Sequence, residues 1–163
     1  MARKQRQPSK SARNGASKPV SRTLYLVKRV QYKTSLRLEA ALQPVGVTTT
    51  QYRILTTLSH GGKHSSADLS RMFAVKPQTM IKQIANLESN GLIERALAKG
   101  SKRVLEVTMT EAGRAALRAC DKAATAVEAA IFAPFSAREL ETYRALMQKL
   151  LVSMRGISSD ADE

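Results

Sequence analysis

Residues 65–110 read SSADLSRMFAVKPQTMIKQIANLESNGLIERALAKGSKRVLEVTMT, and the rest of the chain reads as a frame around them. Two helical patterns come first. Ala67, Leu69, Met72 and Phe73 supply apolar positions at helical spacing in one; Met80, Ile84 and Leu87 do so in the other. Ala74-Val75-Lys76 joins them, and Pro77 suits the first turn of the second helix, where its missing N–H costs nothing. That helix is expected to stop at Asn90-Gly91, because glycine tolerates the left-handed stop conformation. Two strand-like runs follow, 92–95 and 104–107, around a basic loop with a turn glycine at Gly100.

Helix, tight turn, helix and a basic-tipped hairpin predict a winged helix-turn-helix, a device for reading DNA. At 100° per residue, Met80, Ile84 and Leu87 share an inward stripe. The opposite stripe holds Gln78, Lys82 and Ala85, flanked by Thr79 and Asn86. Glutamine can bond an adenine edge through two atoms, lysine reaches guanine or phosphate, and a small alanine lets the helix approach the bases. Taken alone, the same face is also an ordinary solvated face of an amphipathic helix. Lys99, Lys102 and Arg103 at the hairpin tip, with no acid beside them, favour a phosphate backbone as the partner. The residues expected to touch DNA are Ser66, Lys76, Gln78, Thr79, Lys82, Lys99, Lys102 and Arg103.

A chain of 163 residues is one domain, or one domain with tails, and can bury roughly two-thirds of its unfolded surface without metals or disulfides. Its net charge of +14 calls for a polyanionic partner. Residues 1–22 hold seven of the 27 basic residues (Arg3, Lys4, Arg6, Lys10, Arg13, Lys18, Arg22) and no acid, leaving 20 against 13 for the remainder. Both parts are therefore basic. The single cysteine, Cys120, excludes an internal disulfide and fits a reducing cytosol; it sits in an alanine-rich helical run as a small apolar residue. No apolar run approaches bilayer-spanning length, and the N-terminus lacks a secretory signal. A cytoplasmic, nucleoid-associated protein is expected.

Taken in order, residues 1–22 form a basic arm expected to be disordered when free. It is either a solubilising tail or an arm that follows phosphates or enters a minor groove. Residues 23–42 follow a helical pattern through Leu24, Val27, Val30, Leu38 and Leu42, broken by Pro44-Val45-Gly46. Thr48 with Gln51 matches a capping box for the next helix, which carries Tyr52, Ile54, Leu55 and Leu58 and ends at His60-Gly61-Gly62. Ser65 with Asp68 caps the third helix. Past the wing, Thr110 opens a long helix, 111–132, with a mostly alanine surface; Ser136 with Glu139 caps the last, 136–155, with Leu140, Tyr143, Met147, Leu150 and Met154 on one side. Long helices at both ends of a small reading head (about 48–110) point to a dimer interface. The domain thus spans 23–155, with an acidic, loose tail at 156–163. The expected fold is mainly α: a winged helix-turn-helix with long N- and C-terminal dimerisation helices and a two-stranded wing.

The order of elements and these local residues resemble the MarR family of bacterial transcription factors over roughly residues 23–152. Asn90-Gly91-Leu92-Ile93-Glu94-Arg95, Lys102-Arg103 and Met109-Thr110-Glu111-Ala112-Gly113 are similar to the family's end of recognition helix, its wing and its entry to the fifth helix. Val47-Thr48-Thr49-Thr50-Gln51 is similar to its start of the second helix. The resemblance implies a two-fold dimer joined through the first, fifth and sixth helices, a winged head on each side, and repression relieved by a small, often aromatic and anionic, compound. The family's wing usually carries Asp-x-Arg, whereas this one reads Ser101-Lys102-Arg103. Set against the family's pattern, loss of that carboxylate is expected to leave Arg103 freer to turn and to raise general affinity for DNA. No cysteine lies near the start of the first helix, which argues against a peroxide sensor.

The expected function is a dimeric, sequence-specific DNA-binding regulator on an inverted-repeat operator of double-stranded DNA. A small-molecule effector would sit between dimer helices and reading head, where Tyr32, Arg37, Tyr52 and Arg53 offer aromatic walls and a cation for an aromatic acid. Core packing for the tyrosines and surface charge for the arginines remain the alternative. An architectural DNA-coating protein without an effector is the competing function, and a protein-interaction winged helix a further one. An enzyme is not expected. His60 and His64 are separated by two glycines without a third ligand nearby, so no metal and no cofactor is expected.

Overall fold

Among the described residues, most helices have their starts fixed by side-chain caps. The computed structural model describes residues 22–61, 63–97 and 105–154. Helix α1 (Thr23–Leu42) has no side-chain cap and runs into a single 3₁₀ turn at Gln43–Val45, closed by Gly46 in the left-handed region. Helix α2 (Thr49–Ser59) begins with a full capping box. Thr48 Oγ1 accepts from the Gln51 N–H, and Gln51 Oε1 accepts from the Thr48 N–H at 2.9 Å. The same reciprocal pair, Ser65 with Asp68, opens the short α3 (Ser66–Met72). Because the Ser65 hydroxyl and N–H both donate to the Asp68 carboxylate, that carboxyl titrates below the usual carboxylate range.

Helix α4 (Pro77–Ser89) starts on proline, as expected. Both α3 and α4 end in the same motif. The Ala74 N–H bonds Arg71 O and the Val75 N–H bonds Ser70 O after α3; Gly91 N–H to Glu88 O and Leu92 N–H to Leu87 O repeat the pattern after α4. Each requires a left-handed residue. Gly91 supplies it at φ 69°, but in the turn between the two helices it falls to Ala74 at φ 50°.

The sheet has three strands, one more than expected. Strand β2 (Ile93–Leu97) pairs antiparallel with β3 (Leu105–Met109), Arg95 opposite Val107, one to two residues later than the sequence suggested at their ends. The addition is β1 (His64–Ser65), antiparallel to the other side of β3. Lys63, just before β1, forms a salt bridge with Glu106 at 2.9 Å. Helix α5 (Glu111–Phe132) is capped by Thr110, and α6 (Ala137–Met154) by the Ser136–Glu139 pair.

The core lies where α2, α4 and the wing base meet α5. Leu42, Ile54, Leu55, Leu69, Met80, Ile84, Leu87, Ile93, Val107 and Cys120 are all closed to solvent. Cys120 is a buried packing residue, and burial pushes its thiol pKa up. In α3 only Leu69 of the expected apolar set is fully buried: Phe73 is half-buried, and Ala67 and Met72 face solvent. Seven residues give barely two turns, enough to bury only Leu69 and the neighbouring Ser70.

The two terminal helices are different. Leu24, Tyr25, Leu26, Val30 and Leu36 of α1 and Leu146, Leu150, Leu151, Val152 and Met154 of α6 are exposed in the single chain, and no residue of α6 is buried. Phe132, Phe135 and Tyr143 cluster at the α5–α6 turn with ring centres 5.6–6.4 Å apart, and Arg144 bonds Glu128 at 3.1 Å. These contacts hold α6 beside the end of α5 while its apolar residues stay uncovered.

Candidate nucleic-acid interface

The exposed surface of α4 follows from what its other side buries. Met80, Ile84 and Leu87 are sealed at its core face, which turns Gln78, Thr79, Lys82, Ala85 and Asn86 outward. Lys76 stands exposed at the helix entrance, and half-exposed Ser66 opens α3. Among the described residues, Lys76 and Lys82 form no ion pair, so their charges are open to a polyanion. Lys99, Lys102 and Arg103 lie outside the described residues.

Two polar clamps fix α4. Gln51, only 4% exposed, caps α2 with one side-chain atom and donates from Nε2 to Asn86 Oδ1 at 2.5 Å with the other. Asn86 also accepts from Asn90 at 3.2 Å. On α1, Glu39 accepts from both the N–H and the hydroxyl of Thr49. Polar contacts therefore run from α1 through the start of α2 to the last turn of α4. The second clamp joins helix and wing: Arg95 on β2 holds Glu88 on α4 through Nε at 2.9 Å and through its terminal nitrogen. Arg95 lowers the Glu88 pKa, and Glu88 raises that of Arg95.

The sequence did not single out Gln51 as a link to α4, because a capping glutamine normally spends its side chain locally. Nor did it single out Ile81, which stands 45% exposed beside Lys82. Its place one residue before Lys82 and three after Gln78 was the available signal.

The four residues expected to hold an effector do not converge within one chain. Tyr32 is 66% exposed on α1. Arg37 lines a shallow cleft with Val30, Lys33, Thr34, Ala130 and Ile131. Tyr52 and Arg53 line a separate open cleft of about 380 Å³ with Thr56, Thr57, Met72 and Phe73, where the Arg53 guanidinium lies 4.5 Å from the Phe73 ring centre. The Tyr52 hydroxyl donates to Asp121 Oδ1 at 2.7 Å, tying α2 to α5. Partial burial, then that hydrogen bond, push the Tyr52 pKa up to about 12. Among the described residues no cluster of His, Cys, Asp and Glu is arranged to hold a metal ion, and no helix is long and apolar enough to cross a membrane.

Comparison with known proteins agrees with this arrangement. Residues 47–105, from the cap of α2 to the start of β3, match the MarR family model. The HTH-type transcriptional repressor Rv2887 of Mycobacterium tuberculosis is 32% identical over 126 residues, covering 77% of this chain and 91% of that protein. Its crystal structure in complex with salicylic acid superposes with a TM-score of 0.68 at 30% identity, over 81% of this chain and 98% of that one. Its complex with DNA gives a TM-score of 0.68 at 29% identity, over 78% and 96%. With sequence and fold alike over most of both molecules, the chain belongs to the MarR family of transcriptional regulators.

Proposed function

We propose that the chain is a transcriptional repressor that acts as a homodimer, binding an inverted-repeat operator through α4 and releasing it when a small aromatic or anionic effector binds. The observation that carries this reading is the exposed Gln78–Thr79–Lys82 face, held rigidly over a sealed Met80–Ile84–Leu87 stripe. Such a helix presents donors and a cation to base edges at no cost in its own packing. One relative, crystallised both with DNA and with salicylic acid, supports the partner and the effector class.

Dimerisation accounts for the uncovered apolar residues of α1 and α6, which a lone chain leaves in water. In a dimer, α1 of one protomer can approach the reading head of the other, a route by which Tyr32 and Arg37 reach the Tyr52–Arg53 cleft. An effector there must bind the head spacing that misfits DNA more tightly than the spacing that fits. Within each protomer the Tyr52–Asp121 bond joins the reading head to α5, so it bears on how that head is set. The reading is of a binding protein in the cytoplasm, at the nucleoid, rather than an enzyme.

The test is selection of a preferred duplex from a random pool by the full chain, followed by competition with Lys82→Ala and Gln78→Ala. Each change relaxes base preference by about 1–3 kcal/mol per good contact. Equal weakening on all duplexes would refute the assignment of this face. A second reading, an architectural protein without sequence preference, draws on the +14 charge; a pool that fails to enrich any sequence while binding strongly at low salt favours it.

A further inference from the structure

Helix α4 carries one large exposed apolar side chain, which neither charge nor hydrogen bonding explains. Ile81 stands 45% exposed in the second turn of the helix. Gln78, Lys82 and Ala85 are exposed as well, and the four positions follow helical spacing along one strip. The other exposed large apolar residues of this kind lie elsewhere: on α1 and α6, at the α5–α6 turn, at the end of α3, or on the wing stem, where Leu97 and Leu105 stand opposite each other. Ile81 has no such neighbour to share a face with on α4. Two turns further along the same side is Glu88, which Arg95 of the wing holds. Ile81 is thus on the flank of α4 turned toward the wing stem, still within the strip that would enter a groove.

A branched apolar side chain there gains by meeting an apolar atom and loses by meeting a polar base edge left unpaired. In the major groove of B-form DNA the thymine 5-methyl is the apolar group on offer. Exposed Ala85, one turn later, leaves room for the close approach this contact needs.

We propose that Ile81 is a specificity-determining residue that recognises thymine methyl groups, supplementing the polar readout by Gln78 and Lys82. The inference rests on α4 being the reading helix, and adds to that reading a preference for thymine set by shape and hydrophobic contact.

The test uses the full chain and the duplex it enriches from a random pool. Each thymine in turn is replaced by deoxyuridine, which removes one methyl and leaves base pairing intact. At one or more thymines in each half-site, binding should weaken about fourfold, the worth of one buried methyl-sized group. In Ile81→Ala, an exposed substitution, thymine and deoxyuridine duplexes should bind alike. Indifference of the unaltered chain to every replacement overturns the inference without needing any variant. So does a thymine penalty that persists undiminished in Ile81→Ala. A chain that enriches no sequence at all fails earlier, and removes the reading of α4 itself.

Discussion

Gly113 is the position at which a single methyl group should do most damage. It lies in the first turn of α5, its N–H donating to Thr110 Oγ1 at 3.0 Å. A Cβ built there would sit 2.0 Å from the Leu92 carbonyl oxygen and 2.7 Å from Met109 Cγ, whereas ordinary contact begins near 3.4 Å. Met109 can rotate away; the Leu92 carbonyl is backbone and cannot. It also accepts the Thr110 N–H at 3.1 Å, while the Thr110 hydroxyl donates to Gly91 O at 2.6 Å. Moving α5 off Leu92 to relieve the overlap stretches both bonds, each worth about 1 kcal/mol net. Holding α5 in place keeps the overlap, at about 1–3 kcal/mol.

Against either cost, alanine gains about 1 kcal/mol of helix propensity over glycine. The balance for Gly113→Ala is a loss of about 1 kcal/mol if α5 moves and of up to about 2 kcal/mol if it does not, opposite in sign to what propensity alone predicts. Urea unfolding at a fixed protein concentration reads it directly, since dimer linkage is then constant. Exposed Ala115 in the same helix is the control: Ala115→Gly should cost about 1 kcal/mol through propensity alone. Because Leu92 joins the end of α4 to the wing, Gly113→Ala should also tilt the reading head and weaken binding to the selected duplex. Unchanged or increased stability would refute the packing argument.

Three further outcomes follow from other contacts. Gln51→Leu strands the Thr48 N–H and removes the bond to Asn86, so unfolding should show a loss of about 1–3 kcal/mol, with base preference falling more than general DNA affinity. Ala74→Gly, at φ 50°, relieves about 1–2 kcal/mol of left-handed strain and gives back about half to the unfolded chain; urea midpoints should rise slightly, and a fall would show that the turn tolerates alanine without strain. Tyr52 has its pKa raised from 10.0 to about 12, so the neutral hydroxyl is the stabilised form: its contribution is complete below pH 10 and lost as pH rises through about 12. Near-ultraviolet titration of tyrosinate should lose its highest-pH component in Tyr52→Phe, and an unchanged curve would place Tyr52 outside that environment.

Much of this architecture was legible because it is written locally. Thr48–Gln51, Ser65–Asp68 and Ser136–Glu139 form the capping pairs their spacing announced, and Pro77 and Gly91 bound α4 as expected. The inward stripe of α4 was equally plain, since three large apolar residues at helical spacing leave one solution. Strand β1 was not legible: two polar residues, His64 and Ser65, carry no periodicity, and only pairing with β3 makes them a strand. The polar link from Gln51 to Asn86 spans 35 positions and depends on how α2 crosses α4, which no local pattern records. The apolar side of α6 was read as packing, yet no residue of α6 is buried in the single chain. Tyr32, Arg37, Tyr52 and Arg53, chosen for their chemistry alone, do not converge within the single chain.

The central claim is that two copies of this chain hold their α4 helices on one duplex. Sedimentation of the full chain with its selected duplex measures the stoichiometry directly. Two chains should bind each duplex together, with half-sites about one helical turn apart. Single chains binding one at a time to an intact inverted repeat would contradict the account.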